Sequence, residues 1–71
     1  MELNRTSNPV RDIPKRLYSV DEAAVYLGRS VWGLREMVWA GKLPIIRDGR
    51  RILLDINDLD KWIDNNRTIL N

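Results

Sequence analysis

A chain of 71 residues sets the expectation of one small domain, without room for a roomy catalytic cleft. It has no cysteine and no histidine, which excludes a disulfide framework and a thiolate metal site and removes the commonest general base. Twelve cationic and ten acidic side chains leave a net charge of only +2, so the placement of charge, not its sum, points to a partner.

Residues 1–16 show no helical or strand period and contain Pro9 and Pro14. The expectation is a flexible N-terminal arm, whose Arg5, Arg11, Lys15 and Arg16 either touch phosphates or form a solvated tail. The opening Met1-Glu2-Leu3-Asn4-Arg5 is too polar for a signal peptide, and no apolar run approaches a membrane span. A soluble, cytoplasmic protein is expected.

Leu17-Tyr18 reads as a short extended piece. Ser19 then opens a capping box with Glu22, and Val20, Ala23, Ala24 and Leu27 give the first helix one apolar face. Gly28 ends it. Ser30 is the next N-cap, residues 31–40 form a second helix, and Gly41 closes that one. Only Gly28 and Arg29 separate Leu27 from Ser30, so the spacing predicts a helix-turn-helix. Pro44 prevents further helix nearby.

Residues 45–47 and 50–54 are strand-like, and Asp48-Gly49 between them is a two-residue hairpin signal of type I′. That turn would set Arg47 opposite Arg50, Ile46 opposite Arg51 and Ile45 opposite Ile52. Like charges facing one another across a hairpin repel, so an anionic partner would explain them. The last helix starts at a cap on Asp55 or Asn57 and runs to about residue 66, with Leu59, Trp62 and Ile63 on its core face. The organisation expected is an arm (1–16), a domain (17–66) and a C-terminal tail (67–71).

Residues 29–51 hold six of the twelve cations against two acids, Glu36 and Asp48, while the stretches on both sides carry an excess of acids. On a helical wheel of about 100° per residue, Leu34, Met37 and Val38 face inward with Val31 beside them. Trp32, Arg35, Glu36 and Trp39 face outward, the side a helix-turn-helix turns to the major groove. Arg35 is the candidate for a base-edge contact, because a guanidinium can pair with guanine O6 and N7 together; a solvated arginine is the bland alternative. Arg47, Arg50 and Arg51 are candidates for phosphates or a minor groove. Ser30 begins a helix whose amides can hold a phosphate, and Lys42 either reaches a phosphate or caps carbonyls. Trp32 and Trp39 form an aromatic stripe. It is covered by the arm, forms a protein interface, or touches DNA, where Trp32 can lie on a thymine methyl or a sugar and Trp39 should be too far from the bases. Asp58, Asp60 and Asp64 make a poor metal site, and no nucleophile-base pair or phosphate-cradling loop exists. No cofactor, no metal and no enzymatic activity are expected.

From Leu17 to about Ile63 the sequence resembles the excisionase-type DNA-binding domain, a small relative of the MerR-family winged helix-turn-helix. The matching residues are Tyr18-Ser19-Val20-Asp21-Glu22-Ala23-Ala24, Leu27-Gly28, Ser30, Leu34, Gly41-Lys42-Leu43-Pro44, Arg47, Gly49-Arg50-Arg51 and Asp58-Leu59-Asp60-Lys61-Trp62. The resemblance implies a mostly α, α+β fold: helix-turn-helix, two-stranded β-hairpin wing, C-terminal helix. It implies binding to short double-stranded DNA sites as a homodimer or cooperative array, in a bacterial or phage setting. Members either steer an integrase or recombinase partner toward excision or regulate transcription. With the residues read above it points to Arg29, Ser30, Val31, Trp32, Gly33, Arg35, Glu36, Lys42, Arg47, Arg50 and Arg51 as the DNA-binding set. Two positions depart from the pattern: Arg29 replaces a small apolar core residue, and Gly33 replaces a Thr or Ser that faces DNA. The rival reading is a protein-interaction module on the same scaffold, anchored by Trp32 and Trp39.

Overall fold

Ser19 does what its spacing predicts. Its hydroxyl accepts from the Glu22 amide at 3.1 Å, while the Glu22 carboxylate accepts from the Ser19 amide at 2.9 Å. The computed structural model describes residues 14–70, so residues 1–13, most of the expected arm, lie outside the described residues, as does Asn71. Strand β1 (Leu17–Ser19) leads into α1 (Val20–Leu27) and α2 (Val31–Trp39). The hairpin strands β2 (Ile46–Asp48) and β3 (Arg51–Asp55) follow, and α3 (Ile56–Asn65) closes the domain.

The turn between α1 and α2 is built on Gly28, whose φ of 69° lets the chain reverse; the Arg29 amide then donates to the Ala24 carbonyl at 2.8 Å. The Ser30 hydroxyl accepts from the Gly33 amide at 3.0 Å and starts α2. At the far end of α2 the Lys42 amide donates to the Met37 carbonyl at 2.9 Å. Lys42 thus closes the helix through its backbone. Its side chain stays exposed.

The hairpin pairs differently from the spacing expectation. The turn residues are Gly49 and Arg50, and the partners are Ile46 with Leu53, Arg47 with Ile52 and Asp48 with Arg51. Arg47 therefore does not face Arg50. A turn at Asp48-Gly49 would need positive φ at both residues, whereas one that starts on Gly49, at φ 62°, leaves Asp48 in the strand. Moving the turn by one residue shifts the pairing by two, so every side chain keeps its face. The shift also places an acid opposite Arg51 instead of a cation opposite Arg47.

The hairpin is joined by β1, which pairs antiparallel with β3 to give a three-stranded sheet in the order β1-β3-β2. Asp55 locks that junction. Its carboxylate accepts from the Asn57 amide at 2.8 Å as the cap of α3 and from Arg16 Nε at 2.9 Å. The Ile56 amide in turn donates to the Arg16 carbonyl at 2.8 Å. Lys15 pairs with Glu22. These two cations of the expected arm are thus attached to the folded domain.

The core is a single cluster of Ala23 and Ala24 from α1, Leu34 and Met37 from α2, Leu43, Leu54 from β3 and Leu59 from α3. Tyr18, Val20, Leu27, Val31, Val38, Ile45 and Trp62 pack around it. The two alanines let the helices approach closely. The molecule is a small α+β winged helix-turn-helix, in which α2 packs on α1 while β3 of the wing packs on α1 and α3.

Candidate nucleic-acid interface

With Leu34 and Met37 buried, α2 turns Trp32, Arg35, Glu36 and Trp39 outward, and all four are exposed. The wing rises beside this face. Arg35, Val38 and Trp39 of α2, the start of α1, and Arg50 to Leu53 of the wing line one concavity of about 500 Å³. Its floor is apolar (Val20, Val38, Ile52, Leu53), and its cations are Arg35, Arg50 and Arg51. The only acid lining it among the described residues is Asp21. On the opposite flank of α2 a smaller hollow of about 200 Å³ is lined by Arg29, Gly33, Glu36 and Lys42, with Met37 and Ala40.

The ion pairs among the described residues are Lys15 with Glu22, Arg16 with Asp55 and Arg67 with Asp64. None of them involves Arg35, Lys42, Arg47, Arg50 or Arg51. Asp48 lies opposite Arg51 in the ladder without forming an ion pair with it. Among the described residues, then, no acid forms an ion pair with the cations that face the concavity, and Asp21 is the one acid that shares its lining.

Seven of the expected site residues fall into two groups. Arg35, Arg50 and Arg51 come together around the large concavity. Arg29, Gly33, Glu36 and Lys42 come together on the other flank. Arg47 lies apart, exposed on β2, and Val31 turns toward the core. Ser30 is occupied as a helix cap.

Arg29 is no core residue here; it is exposed, with its guanidinium 5.5 Å from the centre of the Trp62 ring, which ties the turn to α3. Gly33 sits where a Cβ would come within 3.3 Å of the Ser30 hydroxyl and 3.9 Å of Arg29, so glycine leaves room for the cap.

Trp32 and Trp39 are 61% and 65% exposed, and their rings meet edge to face with centroids 5.3 Å apart. Spacing by seven places both on one face, but their direct contact is a matter of rotamers that spacing does not reveal. Sequence reasoning also missed the fastening by Lys15 and Arg16 and the contact of the Tyr26 hydroxyl with Asp60, which pins α1 to α3 and raises the Tyr26 pKa. No period or motif marks these pairs, which join residues from separate elements.

A helix-turn-helix with a basic wing beside its second helix defines a DNA-binding domain of the winged type, one that takes double-stranded DNA. The chain belongs to the helix-turn-helix domain family, whose model matches residues 17–67. No curated protein and no solved structure matches it. Among the described residues, no helix is long and apolar enough to cross a membrane, and no group of three or more acidic side chains could hold a metal ion.

Proposed function

We propose that this is a sequence-preferring DNA-binding protein of the excisionase type, acting as a recombination directionality factor or a small transcriptional regulator. α2 enters the major groove, Arg35 reads a base edge, and Arg50 and Arg51 hold phosphates or an adjacent minor groove. The observation that carries this reading is the convergence of Arg35, Arg50 and Arg51 on one concavity, with no acid paired to any of them among the described residues. Arg29 and Lys42 supply charge on the second flank. One copy has a small footprint, so useful affinity calls for a homodimer, a cooperative array or a recombinase partner.

The test is a mobility-shift titration across salt concentrations. Replacing Arg50 and Arg51 together with Ala weakens binding to most sequences and lowers the salt slope by about 2, one for each phosphate that keeps its counter-ion. An unchanged slope refutes the placement of the wing. A circular-permutation assay separates the two roles: bent DNA favours the directionality factor and straight DNA the regulator. The exposure of Trp32 and Trp39 favours one rival, a protein-interaction module, which predicts no shift with any duplex.

A further inference from the structure

We infer that Trp32 reads the 5-methyl group of thymine in the major groove and that Trp39 is its positioning residue. This inference rests on the placement of α2 in the groove.

At about 100° per residue, Trp32 and Trp39 fall between Arg35 and Glu36, on the line pointing directly away from the core. Trp32 stands in the first turn of α2, the part of a recognition helix that comes nearest the base edges. Among the described residues it is 61% exposed, a costly setting for an indole. The cross-section is an aromatic ridge between two hollows: one, which Trp39 also lines, carries Arg35, Arg50 and Arg51 with Asp21, and the other carries Arg29 and Lys42 with Glu36. A major groove has the complementary profile. Two rails of phosphate border a floor about 12 Å wide, and the apolar group that ordinary base pairs offer there is the thymine methyl. Cations on both flanks favour this polyanion over an apolar protein surface. The edge-to-face contact with Trp39, at 5.3 Å between centroids, fixes the plane of the Trp32 ring.

The experiment begins with duplexes selected from a randomised pool by the full chain. Each thymine is then replaced singly by deoxyuridine, which lacks only the methyl, and by 5-bromodeoxyuridine, whose bromine restores similar bulk. Affinity falls about fourfold at one or two uracil positions, the worth of burying one methyl, and bromouracil restores it. Trp32→Ala abolishes the uracil penalty. Trp39→Ala reduces it and Trp39→Phe recovers it, which general loosening of the fold would not do. Irradiating the bromouracil complex gives a cross-link that mass spectrometry assigns to Trp32, a readout independent of any variant's folding. Tight binding with no uracil penalty, or an equal penalty in Trp32→Ala, overturns the inference and leaves the DNA-binding reading standing. Failure to select any duplex, or a second copy seated on the tryptophans in solution, overturns both.

Discussion

Glu22 shows how much one side chain can be asked to do. Its carboxylate accepts from Lys15 and from the Ser19 amide, and the hydrogen bond from Lys15 is the chief cause of a pKa lowered from 4.5 to about 2. The ionised form therefore favours the folded state. That stabilisation is fully present above about pH 4.5 and is lost as the pH falls toward 2. Replacing Glu22 with Gln should lower the thermal midpoint at pH 7 and make little difference at pH 2; a gap that persists in acid would contradict the linkage. Arg35 carries the corresponding functional prediction. Arg35→Ala should cost about 1–3 kcal/mol on the preferred site and relax selectivity at one base pair, as seen by comparing single-base variants of the site. Both residues could be picked out of the sequence, Glu22 from the capping-box spacing and Arg35 from the helical wheel. The partner that most perturbs Glu22 could not. Lys15 lies seven residues away in a stretch without period, and only the folded chain brings the two together.

At the scale of elements, the helices were readable because their signals are local: caps at Ser19 and Ser30, and apolar residues every three or four positions. The sheet was less so. β1 has three residues, too few for a period, and its place comes from pairing Leu17 with Asp55 and Tyr18 with Leu54 far along the chain. The hairpin is legible but its register is not, because Asp48-Gly49 and Gly49-Arg50 both fit a two-residue turn, and the structure takes the second. Gly49→Ala tests the left-handed backbone that either turn requires at this residue. With φ at 62°, alanine should destabilise the wing by about 1 kcal/mol, measured by chemical denaturation; no change would place the turn elsewhere. Asp55 makes a stronger demand, since it caps α3 and holds Arg16 from a buried position. Asp55→Ala should cost about 1–2 kcal/mol, dominated by the missing cap, because Arg16 is largely exposed. If Arg16→Ala matches that loss, the ion pair and not the cap is the main contribution.

For the whole molecule, the arrangement of charge explains more than its total. A net charge of +2 would attract a polyanion weakly if spread evenly. Instead the fold sets Arg35, Arg50 and Arg51 around one concavity whose lining holds Asp21 as its one acid among the described residues, and it places others away from it, as with Asp55 at the base of β3 and Asp60 against Tyr26. The polarity was visible along the chain; that α2 and the wing share a groove required the tertiary structure. The most direct measurement is an amide-shift titration of isotopically labelled protein with a selected duplex. Shifts should concentrate at residues 30–39 and 49–51 and at the Trp32 indole, leaving the contact of α1 with α3 near Tyr26 and Asp60 unmoved. Shifts centred on that contact, or none in α2 and the wing under saturating duplex, would contradict DNA binding through this face.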